Sequence, residues 1–256
     1  MPGYLPPYKS FCSQFEKPIV QEEDQTAVRR LNQLTGPFIL RRMKSDVLKE
    51  LPPKTENVYR IELEEEQRKL YLAAVVDARE KLQAAKPEDK MAVFAVLMRL
   101  REICCDPRLI ADNWEGGSAK LDACVELVSS AVEGGHRILL FSQFTSMLEL
   151  LAKRLDAEGI SHFTLQGSTP KPVRAELVRR FNGGEVSVFL ISLRAGGTGL
   201  NLTAADIVIH YDPWWNVAAQ NQATDRAYRI GKQNPVQVYK LIAQDTIEEK
   251  IVELQQ

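Results

Sequence analysis

Two arginines and a glutamine in one short segment have the types and spacing to bind a polyphosphate. In "QNQATDRAYRIGK", Gln222, Arg226 and Arg229 stand at i, i+4 and i+7, so a continuous helix would present all three on one face. Paired guanidiniums bind phosphate oxygens and stabilise the charge that develops in phosphoryl transfer. The alternative is a solvated helix in which Asp225 forms surface ion pairs with the arginines.

A second segment with the composition of an anion-binding loop is the glycine-rich "SLRAGGTGLN", residues 192–201. Gly196, Gly197 and Gly199 permit positive φ angles, which turn backbone amides towards an anion. The pattern differs from G-x-G-x-x-G, and no acidic residue stands about twenty positions on, which argues against a dinucleotide site. No Gly-Lys-Ser or Gly-Lys-Thr occurs in the 256 residues, so none of them forms a Walker A loop.

Polar residues also follow three other apolar runs: Ser142 and Gln143 follow "RILLF", "QGST" follows "SHFTL", and "DPWW" follows "DIVIHY". "QGST" stands before a predicted helix, where free amides and the hydroxyls of Ser168 and Thr169 suit a phosphate. The alternative is an ordinary helix start, with Thr169 as the cap and Pro170 in the first turn. Trp214 and Trp215 would either cover a sheet edge or stack on nucleic acid.

The elements that must position these residues alternate between strand and helix from residue 118 onwards. This alternation predicts an α/β fold with a parallel sheet covered by helices on both faces, and ligands then bind outside the carboxyl ends of the strands. The predicted strands are 137–142, 161–166, 186–192, 206–212 and 235–243. The predicted helices are 118–133, 146–159, 169–184, 216–231 and 245–256, the last with an Asp245–Glu248 capping box.

The first 112 residues have a different organisation. "TAVRRLNQLTG" predicts a helix ended by Gly36 and Pro37, and "FILRRMKSDVLKELPPK" reads as a basic cluster, a short helix and a Pro-Pro stop. "NVYRIEL", residues 57–63, alternates like a strand. Residues 64–110 carry two apolar stripes at helical spacing, which predicts an αα-hairpin. The stripes are Tyr71, Val75, Ala78 and Leu82, then Val93, Leu97, Leu100 and Cys104.

Composition narrows the function classes. The chain is 45% hydrophobic and 26% charged with a net charge of −1, and it has no bilayer-length apolar stretch or signal-peptide pattern, so we expect a soluble, non-exported protein. Four cysteines without a C-x-x-C pair, with only three histidines, argue against zinc. The sequence contains no nucleophile elbow and no acid/base pair, which argues against a small-molecule enzyme. We interpret His210 as a strand residue. Any nucleic-acid contact must be local, because the net charge is not basic.

Taken in order, the motifs resemble one family. "ILLFSQFTSML", "LQGST", "SLRAGGTGLNLTAAD", "DPWWN" and "QATDRAYRIGK" resemble the helicase motifs in the second RecA-like lobe of the SWI/SNF-type ATPases of helicase superfamily two. "FILRRMKSDVLKELPPK" is similar to the segment between that family's lobes. The forms "AGGTGLNL" and "DRAYRIGK" favour this family over the DEAD-box RNA helicases.

The resemblance implies ATP-driven translocation on duplex DNA and a role for each matching residue. Arg226 and Arg229 would act catalytically on the γ-phosphate, and Gln222, Gly197 and Gly199 would join them in binding ATP. The backbone of double-stranded DNA would contact Ser142, Gln143, Gly167, Ser168, Thr169, Arg194, Ala195, Gly196, Asn201 and Trp215. The sequence departs from the family pattern at Gln166, Val217 and Lys232, which leaves individual DNA contacts open.

The family's Walker A lysine and Walker B acid belong to a first lobe. The resemblance therefore implies a C-terminal half that is inactive alone, with ATP and Mg²⁺ held mainly by an absent N-terminal lobe. We expect 1–63 to be the end of that lobe with the interlobe linker, poorly packed, then a helical insertion at 64–112 and a RecA-like lobe at 113–256. DNA-bound proteins are further expected partners, in the cytoplasm and nucleoid or in the nucleus. The alternative is a non-catalytic RecA-like module that binds DNA or protein.

Overall fold

The computed structural model describes residues 4–39, 52–84, 89–196, 199–229, 232 and 234–255. They fall into two compact units, within 1–50 and within 51–256. The short helix and basic cluster predicted in "FILRRMKSDVLKELPPK" lie almost entirely outside the described residues, as does Gly197. Among the described residues, no helix has both the length and the apolarity to span a bilayer.

The unit within 1–50 is helical. Phe15 is buried at its centre. The predicted helix before Gly36 is confirmed: Asp24 caps it by accepting a 2.7 Å hydrogen bond from the Thr26 N–H, and Pro37 follows in a 3₁₀ turn. A π-helical turn, Cys12–Glu16, joins the first two helices. The helices are α1 (Tyr8–Phe11), α2 (Lys17–Gln21) and α3 (Gln25–Thr35).

The unit within 51–256 is built on one six-stranded sheet in the order β1-β6-β5-β2-β4-β3, and every neighbouring pair is parallel. The predicted α/β class with a parallel sheet is therefore confirmed. The strands are β1 (Lys54–Ile61), β2 (Ile138–Ser142), β3 (His162–Leu165), β4 (Val188–Ser192), β5 (Ile207–His210) and β6 (Val236–Ala243).

The central strands β2, β4 and β5 are buried on both faces, whereas seven of the eight residues of the edge strand β1 are exposed. Successive side chains of a strand point to opposite faces of the sheet. In β2, Ile138 and Leu140 belong to one core, while Leu139 and Phe141 belong to the other. Helices pack on each core, as a parallel sheet requires. The helices of this unit are α4 (Glu65–Ala84), α5 (Lys90–Cys105), α6 (Ala119–Glu133), α7 (Thr145–Ala157), α8 (Lys171–Asn182), α9 (Leu193–Gly196), α10 (Val217–Thr224) and α11 (Ile247–Glu253).

Helices α4 and α5 form the predicted αα-hairpin. Their shared core contains Tyr71, Leu100, Ile103 and Cys104, and it extends to Ala243 at the end of β6. The Tyr71 hydroxyl accepts a 2.8 Å hydrogen bond from the Ile247 N–H. The hairpin is thus anchored on the end of the sheet next to β6.

The sequence analysis assigned the residues of β1 to an N-terminal region ending at residue 63. The structure instead places β1 in the unit within 51–256. It is the edge strand of the sheet and pairs with β6 from Lys54↔Val236 to Ile61↔Ala243. The compact division falls between 50 and 51. Alternation within a strand shows that one face is more apolar, but it carries no information about which distant strand completes the pairing.

Three predicted helix features are wrong. Helix α8 is capped by Pro170 without a side-chain bond, because Thr169 Oγ1 instead accepts from the Gln166 N–H at 3.1 Å. Helix α11 is capped by Thr246, and the backbone N–H of Asp245 donates to Glu249 Oε2 at 3.0 Å. The predicted partner, Glu248, instead accepts from Lys120. Helix α10 ends at Thr224, so the predicted 216–231 helix stops before its arginines.

Candidate functional site

A groove opens where β2, β3 and β4 end. It has a volume of about 470 Å³, and it brings together four residues predicted to bind DNA: Gln143, Gly167, Ser168 and Arg194. Arg194 is exposed. The remaining lining is the aromatic Phe144 and the polar residues Thr145, Ser146, Gln166 and Ser192. The carboxyl edge of the sheet therefore forms a polar groove with a basic group on its wall, as the strand-end pattern predicted.

The loop before α8 is held by a residue that the sequence did not single out. Arg174 Nη2 donates to the Gly167 carbonyl at 2.7 Å, and its Nε donates to the Thr169 carbonyl at 2.7 Å. Within the described part of the chain, the amides of Gly167 and Ser168 have no hydrogen-bond partner. The loop thus turns its carbonyls to Arg174 and keeps two donors for an anion.

Ser142 occupies a different position from the one predicted. It is fully buried, and its hydroxyl donates to Asp212 Oδ1 at 2.5 Å and accepts from the Phe144 N–H at 3.1 Å. The Gln143 N–H donates to the same carboxylate oxygen at 3.2 Å. Ser142 therefore fixes the junction between β2 and the loop after β5, and no face of its hydroxyl is open to a phosphate.

Burial raises the pKa of Asp212 to about 6, an effect that the nearby Arg101 guanidinium and the Ser142 hydroxyl oppose. Arg101 is fully buried and was missed by sequence reasoning, although it stands four residues after Leu97 on the apolar side of its helix. Its Nη2 lies 3.5 Å from Asp212 Oδ2. The carboxylate is thus shared between a strand end and the helical hairpin.

The glycine-rich loop begins with the short helix α9. Ala195, predicted to contact DNA, is buried, and its N–H donates to Ser192 Oγ at 3.3 Å. Gly199 has φ +48° with open space where a Cβ would stand, so the glycine serves its conformation. The Asn201 carbonyl accepts from Asn182 Nδ2 at 2.8 Å. Gly196 is the last residue of α9.

Lys232 holds the segment that leads from the glycine-rich loop to β5. Its Nζ donates to the carbonyls of Ala205 and Thr203 at 2.6 and 3.2 Å. Burial lowers the pKa of Lys232. The departure from the family pattern at this position therefore supplies a cation that holds the loop before β5.

The arginine segment lies in turns after α10. The one-face arrangement of Gln222, Arg226 and Arg229 is wrong, because the helical spacing ends at Thr224. Gln222 and Arg229 are exposed, and Arg226 is half-buried. Burial, and then the charge of Arg229, lower the pKa of Arg226, so the two guanidiniums repel each other.

Arg226 Nε is buried and has no hydrogen-bond partner in the described part of the chain. A buried donor without an acceptor costs free energy that an anionic ligand would recover. The donor set of Arg226 and Arg229 therefore fits a phosphate group.

No group of three or more His, Cys, Asp or Glu residues within the described ranges is arranged to hold a metal ion.

Two aromatic residues in and after β5 differ in their exposure. Trp215 is 39% exposed, with the Arg101 guanidinium 5.5 Å from its ring centroid. His210 is buried inside β5, with Nε2 2.9 Å from Thr224 Oγ1, and burial lowers its pKa to about 3. The neutral imidazole is a strand residue, as predicted from the sequence.

Comparison with known families gives two matches that together span most of the chain. An SNF2-related domain matches residues 1–109, and a helicase conserved C-terminal domain matches residues 119–231. An ATP-dependent helicase of Mycoplasma genitalium is 38% identical over 100% of this chain and 24% of its own length. The human SWI/SNF-related matrix-associated actin-dependent regulator of chromatin subfamily A member 1 is 39% identical over 90% of this chain and 23% of its own length.

Among solved structures, the SWI2/SNF2 ATPase core of Sulfolobus solfataricus in complex with double-stranded DNA has a TM-score of 0.71 and 32% identity. That comparison covers 99% of this chain and 55% of the archaeal chain. The chain thus spans about a quarter of the length of the curated relatives that it matches, and about half of the archaeal ATPase core.

Proposed function

Because the chain belongs to the SWI/SNF-type ATPases of helicase superfamily two, we propose that it forms the C-terminal lobe of an ATP-dependent translocase on double-stranded DNA. One observation carries the proposal. Two unpartnered backbone amides, Gly167 and Ser168, and the exposed Arg194 line one groove at the carboxyl edge of the sheet. Amides and a guanidinium recognise phosphates and carry no base sequence information, which suits a protein that tracks along DNA.

One DNA strand would run along this groove. Gly167 and Ser168 would each donate an amide to a phosphate, Arg194 would contribute its charge, and Gln143 would add a polar contact. Thr169, Gly196 and Asn201 are further proposed contacts outside the groove lining, and Trp215 would meet the duplex beyond it. The archaeal relative crystallised with double-stranded DNA supports duplex over single-stranded nucleic acid.

ATP would bind at the turns that carry Arg226 and Arg229. Bound ATP supplies the phosphoanhydride whose hydrolysis drives movement, with Mg²⁺ held mainly by a first lobe. The two guanidiniums would bind γ-phosphate oxygens and stabilise charge on them, and Gln222, Gly197 and Gly199 would add polar and backbone contacts. The unpartnered Arg226 Nε supports this assignment. The chain alone would not turn over ATP.

Duplex binding by the 256-residue chain tests the DNA part of this proposal. Fluorescence anisotropy with a labelled duplex is measured at several salt concentrations. Arg194→Ala should lower the affinity and reduce the slope of log K against log salt by about 1, as the loss of one phosphate contact requires. Arg79→Ala removes the same charge from an exposed position on α4 and serves as the control.

Equal effects of the two substitutions would assign the binding to overall charge and contradict the groove. Absence of any duplex binding by the unaltered chain would contradict the proposed function itself. A longer form of the protein that binds DNA without ATP turnover would favour the non-catalytic module.

A further inference from the structure

A single buried arginine connects the helical hairpin to the groove. Arg101 lies on α5 with no exposed surface, and it reaches both loops that follow β2 and β5. Its Nη1 donates to Gln143 Oε1 at 2.9 Å, and its Nη2 donates to the Pro213 carbonyl at 2.5 Å. These two loops carry Gln143 and Trp215, two of the residues proposed to contact DNA.

The side chain is also enclosed by aromatic rings. The Arg101 guanidinium lies 5.6 Å from the ring centroid of Phe144 and 5.5 Å from that of Trp215. A planar guanidinium can stack on rings and donate in its own plane at the same time, which an ammonium cannot do. Arg101 therefore constrains the orientation of the indole of Trp215 and the amide of Gln143 together.

Burying this charge is costly, and the contacts only partly offset the cost. The ion pair with Asp212 is long, at 3.5 Å, and Arg101 Nε has no partner among the described residues. Such a buried pair is weak evidence for stability, since an apolar residue often serves as well. What an apolar side chain would lose is the fixed geometry of the two loops.

We propose that Arg101 is a positioning residue for DNA binding, which holds the Gln143 amide and the Trp215 indole in the arrangement that the duplex requires. This inference rests on the proposed function. It also gives the helical hairpin a role, because movement of α5 would be transmitted through Arg101 to the carboxyl edge of the sheet.

A double-mutant cycle on duplex binding tests the positioning role. Arg101→Met in the 256-residue chain should weaken binding about tenfold, which is the loss of about one favourable contact when the residues that Arg101 orients are misplaced. In a Gln143→Ala, Trp215→Ala background, Arg101→Met should cause less than about a twofold further loss, because the residues it orients are gone. Arg101→Lys keeps the charge but lacks the fork, and it should recover only part of the affinity.

Lys120→Met is the matched control. Lys120 is another fully buried cation, with a buried carboxylate partner in Glu248 and the Tyr211 ring 5.6 Å away. It lies outside the groove lining, so its loss should reduce stability without changing affinity per folded molecule. An equal loss of affinity in Lys120→Met would overturn the proposal, as would the same loss from Arg101→Met in both backgrounds.

A readout without DNA separates this inference from the proposed function. Acrylamide quenching of Trp215, obtained by difference from a Trp215→Phe variant, should increase in Arg101→Met because the stacked guanidinium is gone, and a neutral quencher does not respond to the lost charge. If the unaltered chain binds no duplex, the function fails while the quenching still tests the positioning. Unchanged quenching in Arg101→Met and in Arg101→Lys would overturn the positioning role, whatever the DNA result.

Discussion

The backbone N–H of Leu202 donates a 3.1 Å hydrogen bond to the carbonyl oxygen of Arg226. Leu202 is fully buried in the core that also holds Ala195 and Ala227. This bond joins the loop that follows the glycine-rich segment to the turn that carries the proposed phosphate-binding arginine. A shift of the arginine turn would therefore act directly on the loop at Leu202, which follows the glycine-rich segment.

Substitution of either arginine should abolish turnover in a form of the protein that contains a first lobe. Arg226→Ala or Arg229→Ala should lower kcat by roughly 10³ or more, as removal of an arginine finger does in phosphoryl transfer. ATP affinity, measured with a fluorescent analogue, should fall less than kcat. The reason is that the arginines mainly stabilise charge that develops in the transition state and is absent from bound ATP. Arg79→Ala is the control, and normal turnover in both arginine variants would exclude the finger role.

Arg174 should support DNA binding through the backbone of the loop at residues 166–169. Arg174→Ala removes two 2.7 Å hydrogen bonds to loop carbonyls, and it should cost roughly 1–3 kcal/mol of unfolding free energy together with a loss of duplex affinity. Urea unfolding and anisotropy measure the two effects. Arg179→Ala, on the same helix but in an exposed pair with Glu176, should leave both nearly unchanged. If Arg174→Ala binds duplex normally, the loop does not depend on this contact.

His210 should make the lobe sensitive to acid. Its pKa is about 3 in the folded state against an ordinary 6.5, so between these values the unfolded state binds more protons. Stability is therefore fully present above pH 6.5 and falls as the pH drops, by up to about 1.4 kcal/mol per pH unit. His210→Gln keeps a donor for Thr224 without titrating, and its unfolding free energy should depend less on pH in this window. Identical pH profiles would contradict the assignment.

Asp212 should contribute the opposite slope. Its pKa is raised to about 6 from 3.8, so between these values the folded state holds the extra proton. Stability from this group is therefore greater at pH 4 than at pH 6, by no more than about 1.4 kcal/mol per pH unit. Asp212→Asn should remove this contribution and steepen the acid loss seen by urea titration. An unchanged acid loss in Asp212→Asn would show that the carboxyl titrates in its ordinary range, and a shallower loss would show that its pKa is lowered; either result would contradict the raised pKa.

The regular part of the fold follows from local pattern, while the partners of individual polar groups do not. Strands such as β2 and β4 are continuous apolar runs with turn signals. The sequence therefore predicts the α/β class and the carboxyl edge of the sheet at which the polar residues lie. The helix after Asn216 was overextended, because nothing in "DRAYR" forbids helix. Tertiary bonds override that propensity, including one from the Tyr228 hydroxyl to the Pro52 carbonyl at 2.9 Å.

The site divides in the same way. Groove residues such as Gly167, Ser168 and Arg194 stand at strand ends, which topology alone brings together. Arg101 and Arg174 look like ordinary helix charges in the sequence, since their acceptors are backbone carbonyls or side chains of other elements. Only the position of Arg101 beside an apolar stripe marks it as buried.

The pairing of β1 with β6 sets an order of folding events. During translation β1 emerges before the helical hairpin, whereas β6 emerges after every other strand of the sheet. Contacts between such distant segments form slowly, because a long chain must be ordered before they form. The β1 edge is therefore completed in a late step, after residues 236–243 have left the ribosome, and until then β5 has an open edge that is exposed to wrong partners.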